Sequence, residues 1–239
     1  MKYAIIAAGE GSRLTQEGVG VAKPLVEVAG QRLIDRLLNI FMDNGASEIV
    51  VVCREDATVV QHLTDIQKLG LNGRQIPLRF IARTTPSSMH SLWELRELIG
   101  NAPFCLTTVD TVFSESEFAR FMADYRHLLA ADEADGLMGV TDYIDDEKPL
   151  YVRVEREQPN ITAFLDSDPQ PRYISAGIYA LKPEALTVLQ HCMERGESRM
   201  RNFQRALLAE GLRLRAWTFS KVLDIDHASD VAKAEEFLR

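Results

Sequence analysis

Up to Asp110 the chain alternates short apolar runs with longer segments of helical period, and that alternation leaves few folds open. The runs are Tyr3–Ala8, Ile49–Cys53, Leu78–Ala82 and Phe104–Val109, each too short for a buried helix and without a helical repeat. Between them lie stretches at Gln31–Asp43, Ala57–Leu69 and Met89–Ile99. In the first of these Leu33, Ile34, Leu37, Leu38 and Phe41 recur on one face, and Asn44-Gly45 supplies the stop. Repeated strand–helix units pair their strands in parallel, because each crossover returns the chain to the same end of the sheet. Strands apolar at every position need cover on both faces. The expectation is an α/β fold, a mostly parallel sheet with helices on both sides.

After a helical segment at Ser116–Ala131 the rhythm changes. Extended segments at Gly136–Thr141, Leu150–Val154, Ile161–Phe164 and Ile174–Leu181 follow one another through polar, proline-containing connections such as Asp145–Pro149 and Asp166–Pro169. These read as antiparallel additions that cover the site. Helices at Pro183–Arg195 and Arg199–Glu210, strands at Leu212–Phe219 and Val222–Ile225, and a helix from Ser229 complete the chain. With 239 residues, 46% hydrophobic, and no linker or repeat, the expectation is one unit over 1–239. A net charge of -8 argues against a nucleic-acid partner, which would need a basic face, so an anionic substrate must meet a local basic patch. Cys53, Cys105 and Cys192 form no CxxC pair and read as buried, reduced thiols. No run approaches the roughly 18 apolar residues that span a bilayer, so no membrane partner and a cytoplasmic location are expected.

The first run ends in Ala7-Ala8-Gly9-Glu10-Gly11-Ser12-Arg13-Leu14, with Lys23-Pro24 shortly after. Glycines after a strand let backbone approach phosphates. Ser12 adds a hydroxyl, Arg13 a planar fork and Lys23 a point charge. Leu14 stands where a dinucleotide fingerprint has its third glycine, and the Gly-Lys-Ser/Thr ending of a Walker A loop is missing. The composition is that of a triphosphate cradle, with Ala8, Gly9, Gly11, Ser12, Arg13 and Lys23 as nucleotide-binding candidates.

In Gly9–Arg13 and Lys23-Pro24 the sequence resembles the nucleotidyltransferases that make nucleoside-diphosphate sugars and related activated alcohols. Val28-Ala29-Gly30, Asp43-Asn44-Gly45, Ile174–Tyr179 and Leu223–Asp226 follow in that family's order, so the resemblance covers nearly the whole chain. It implies a Rossmann-like fold, in-line attack on the α-phosphorus of a nucleoside triphosphate, and a magnesium ion held by two carboxylates. Asp110 and Asp224 match those carboxylates, with Asp226 as the fallback; without a cation the pair would repel. Arg13 and Lys23 match the residues that neutralise leaving pyrophosphate. A phosphate acceptor is already ionised at neutral pH, so no dedicated base is needed. His62, His90, His127, His191 and His227 show no metal-like spacing.

The base contact implied by the resemblance falls on Ser88, which also reads as a helix cap. On the acceptor side Gly177 matches a glycine turn. Sugar-specific relatives place Glu-Lys-Pro where this chain has Leu165-Asp166-Ser167, and Glu147-Lys148-Pro149 precedes the wrong strand, so Arg153 or Arg172 is the candidate replacement cation. The expected partners are a nucleoside triphosphate and a small phosphorylated acceptor: a sugar phosphate, phosphocholine or another phosphoalcohol. Two rivals stand beside this reading: a glycosyltransferase using Asp224-Ile225-Asp226 as its DxD, and a silent nucleotide-sensing module.

Overall fold

The computed structural model describes residues 1–145 and 148–239. Its first half runs β1 (Lys2–Ala7), α1 (Ser12–Gln16), a 3₁₀ turn (Lys23–Leu25), β2 (Glu27–Val28), β3 (Gln31–Arg32), α2 (Leu33–Asp43), β4 (Glu48–Cys53), α3 (Ala57–Leu69), β5 (Leu78–Ala82), α4 (Ser88–Ile99), β6 (Phe104–Thr108), β7 (Thr111–Phe113) and α5 (Glu115–Ala130). The second half runs β8 (Gly136–Thr141), β9 (Tyr151–Val154), β10 (Ile161–Leu165), β11 (Tyr173–Leu181), α6 (Ala185–Glu194), α7 (Met200–Ala209), β12 (Leu214–Phe219), β13 (Val222–Asp224) and α8 (Ala228–Phe237).

The sheet is ordered β10-β9-β11-β6-β1-β4-β5, with β8 on β11 and β12 on β8. Strands β6, β1, β4 and β5 are parallel. Their side chains alternate between two cores, as a period of two requires. Tyr3, Ile5 and Ala7 join Phe41, Leu63 and Phe118 on one face, while Ala4 and Ile6 join Leu92, Leu189 and Phe203 on the other. Beyond β6 the pairings of β11, β8, β9 and β10 are antiparallel, as expected, but β12 runs parallel to β8. β11 pairs with β6 through Ile178–Leu181 and with β9 through Tyr173 and Ile174, and its other edge takes β8. The mixed α/β architecture expected from the alternation is the one found.

Two differences have local causes. The helix expected from Gln31 begins at Leu33, because Gln31–Arg32 pairs with Glu27–Val28 in a hairpin turned by Ala29 and Gly30, both in the left-handed region. The final strand stops at Asp224, one residue short of the expected Ile225, whose N–H is taken by the Asp110 carbonyl at 3.1 Å. No helix among the described residues is long and apolar enough to cross a membrane.

Candidate active site

The chain adds β4 and β5 to one side of β1, then returns to lay β6 on the other, so the sheet's topology switches between β1 and β6. Crevices form at such points outside the carboxyl ends of parallel strands. A cleft of about 770 Å³ opens there, lined by Ala8 and Gly9 after β1, Thr85 and Ser88 before and in α4, Asp110 after β6, and Lys23. Gly11 caps α1 with φ 60°, and a Cβ there would meet the Lys23 Cβ at 3.2 Å. The glycine therefore lets the loop close over the lysine stem.

Lys23 is the centre of the charge arrangement. Its ammonium donates to the Asp110 carboxylate and, at 2.7 Å, to Asp226 Oδ1. Burial opposes its charge, but Asp110 and Asp226 outweigh that and hold its pKa above the ordinary lysine range. Arg13 reaches the other Asp226 oxygen at 3.3 Å. β13 pairs with β7 so that Asp224 lies opposite Thr111, next to Asp110. Asp224 is exposed at the cavity rim, yet the protein packed around its carboxylate strips part of its hydration and Asp110 repels it. Lys23 only partly offsets these effects, and Asp226 adds to them, so its pKa is raised well above the usual carboxylate range. The two carboxylates expected to repel do share a site, and the structure inserts Lys23 between Asp110 and Asp226.

A second cavity of about 290 Å³ lies beyond this cluster, lined by residues of β11 and β13, Arg13 and the start of α8. The two cavities meet at the Lys23–Asp226 bond. Gly177, with φ 71°, packs against Thr111 Oγ1 and Thr108 Oγ1, which bond to each other at 2.6 Å. Arg153 and Arg172, the candidate acceptor cations, are engaged elsewhere: Arg153 donates to Asp168 at 3.2 Å and Arg172 lies over the Tyr173 ring. Asp166 is held by Arg201 and Arg205. In the Glu147-Lys148-Pro149 segment Glu147 lies outside the described residues, while the Lys148 carbonyl accepts from Arg201.

Neither Asp226 nor Ser229 caps α8. His227 occupies that position, and Asp230 Oδ2 accepts from the amides of Asp226 and His227. Glu17, at the end of α1, accepts from His227 Nδ1 at 2.6 Å and the Ala228 amide at 2.7 Å. The sequence carried no signal for Glu17, because its partners lie far along the chain. Ser88 stands in the first turn of α4 on the wall of the first cavity, and Ser87 takes the cap position.

The carboxylates suit magnesium in number and kind. Among the described residues no three acidic, histidine or cysteine side chains converge as a complete ligand set. Magnesium needs only one or two protein carboxylates, with water and substrate phosphates completing its shell.

Residues 2–239 match the family model described as nucleotidyl transferase. Among curated proteins the chain is similar to a UTP–glucose-1-phosphate uridylyltransferase of Haloferax volcanii, 25% identical with 100% of this chain and 97% of that protein covered. Among solved structures it superposes on the inositol-1-phosphate CTP transferase of T. maritima with a TM-score of 0.74 and 19% identity, covering 98% and 96% of the two chains. A UDP-glucose pyrophosphorylase complexed with UDP-glucose gives a TM-score of 0.81 at 17% identity, covering 99% and 97%.

Proposed function

The chain belongs to the nucleotidyl transferase family, and from that premise we propose that it joins a nucleoside triphosphate to a small phosphorylated acceptor, of the sugar-phosphate class, and releases pyrophosphate. The observation that carries this reading is the pair of cavities meeting across Lys23, Asp110 and Asp226. The loop cavity suits a nucleotide, the second suits an acceptor, and an α-phosphate at their junction lies within reach of both.

The step needs alignment and charge neutralisation more than proton transfer. An acceptor phosphate oxygen, already ionised, forms a bond to the α-phosphorus while the bond to the β-phosphate bridging oxygen breaks and its electrons leave with pyrophosphate. Ser12 and the amides of the Gly9–Arg13 loop bind phosphate oxygens. Arg13 and Lys23 turn from Asp226 toward the charge that accumulates on the leaving group. Asp110 and Asp224 would hold magnesium, with Asp226 beside them, and the ion would supply Lewis-acid stabilisation of the α-phosphate. Ser88 and Thr85 line the base end, and Ile174, Ser175 and Ala176 of β11, just before Gly177, line the acceptor side.

The test is a pyrophosphate-release screen of the four ribonucleoside triphosphates against phosphorylated sugars and alcohols, with magnesium present. Turnover with at least one pair is expected. Glycosyl transfer from a nucleotide sugar without pyrophosphate release, or triphosphate binding without turnover on any acceptor, would overturn the proposal.

A further inference from the structure

The second cavity poses an electrostatic problem that the first does not. Asp145, Asp224, Asp226 and Asp230 all line it, and such a wall repels a phosphate unless cations intervene. Arg13 and Lys233 are the lysine or arginine side chains on that wall. Arg13, at the start of α1, is held by Asp226 where the cavities meet, and the proposed reaction commits it to the leaving pyrophosphate. Lys233 sits one helical turn into α8. Its ammonium lies 2.9 Å from Asp145 Oδ2 and 3.3 Å from Asp230 Oδ1, with its side chain 45% exposed.

We infer that Lys233 is the residue that receives the acceptor's phosphate group. This rests on the proposed reaction and deepens it, because it replaces Arg153 and Arg172 with a cation already on the cavity wall. Exposed ion pairs contribute little, so leaving Asp145 for a phosphate costs little, whereas an ammonium on a phosphate makes strong charge-assisted bonds. Asp230 keeps the lysine aimed. Its Oδ2 is committed to the Asp226 and His227 amides, so the carboxylate cannot swing away, and its Oδ1 faces Lys233. One residue thus fixes both the backbone at Asp226 and the direction of the lysine. The same wall of carboxylates favours an acceptor whose remaining groups are hydroxyls or an amine, and disfavours one with a second anion.

The experiment uses the full chain with magnesium and the triphosphate that turns over, and glucose 1-phosphate as the acceptor probe. Lys233→Gln should raise the acceptor KM roughly 10- to 100-fold, the worth of one charge-assisted bond, and leave the triphosphate KM unchanged. Lys233→Arg should recover much of the loss. Asp145→Asn breaks the same ion pair and should leave the acceptor KM equal or lower. If Asp145→Asn instead reproduces the Lys233→Gln defect, the lysine only staples its loop and the inference is wrong. An unchanged acceptor KM in an active Lys233→Gln enzyme overturns it too, while the proposed reaction stands. If the wild type binds triphosphate but turns over no phosphorylated acceptor, the proposed reaction falls and takes this assignment with it.

Discussion

Lys23 carries two burdens, and they separate experimentally. In the proposed reaction it and Arg13 face the leaving group, so Arg13→Ala or Lys23→Ala should lower kcat at saturating triphosphate by about 10²- to 10³-fold; single-turnover measurements check this. In the folded chain Lys23 also pairs two carboxylates, its side chain 9% exposed. Lys23→Ala leaves Asp110 beside Asp224 without a cation, and should cost roughly 2 to 4 kcal/mol in denaturant unfolding. Arg13, half exposed on Asp226, should cost far less. For the same reason Asp110→Asn, which would be neutral if the carboxylates merely repelled, is expected to destabilise, because the largely buried Lys23 ammonium keeps only Asp226 as its carboxylate partner. Asp224 supplies a pH signature. Its carboxyl is raised in the folded protein, so its contribution favours folding below the unfolded pKa and is lost as pH rises toward about 7. The stability difference between wild type and Asp224→Asn should therefore shift against the wild type across pH 4 to 7 in metal-free buffer; a flat difference would contradict that environment. At this scale the phosphate loop was legible because Gly9, Gly11, Arg13 and Lys23 lie within one local motif. Lys233 was not, since an Asp-Val-Ala-Lys helix surface looks the same whether or not a cavity faces it.

Two small elements decide how the site is held. α1 has five residues, too few to show a period in the sequence. It is anchored at its far end by Glu17, whose two oxygens accept from His227 and from the first amide of α8. That link ties the helix bearing Arg13 to the segment bearing Asp226. Replacing Glu17 with Ala should loosen Arg13, lowering kcat about tenfold, consistent with the loss of orientation between groups that act together. Glu17→Gln, which keeps two polar atoms, should lose less. Equal losses in both would point to charge instead of placement. The β7–β13 pair was half legible: Val222–Asp224 reads as a strand, but Thr111–Phe113 is three residues after Asp110 and carries no pattern of its own. Only the register Asp224 to Thr111 shows why two distant acidic residues meet.

For the molecule as a whole, the alternation of apolar runs and amphipathic helices was enough to give the parallel half, because β1, β4 and β6 are buried on both faces and β5, with Arg79 exposed, closes the edge. It could not give the branching of β11, whose two edges serve three strands, since register depends on bulges that composition does not mark. The two cores seal all three thiols, and burial raises Cys53 and Cys192 to about 11. Native protein should therefore react with a thiol reagent only through opening, at rates that rise with denaturant; a rapid burst from one cysteine would show a looser face. The folded chain carries a resident counter-ion, the Lys23 ammonium, on Asp110, one of the two carboxylates that would hold a divalent cation, and on Asp226 beside them. An incoming ion must displace it, and an incoming triphosphate gives the displaced ammonium somewhere to go. Each ligand thus removes the obstacle to the other, and the gain is the same in both directions: the factor by which magnesium tightens triphosphate binding should equal the factor by which triphosphate tightens magnesium.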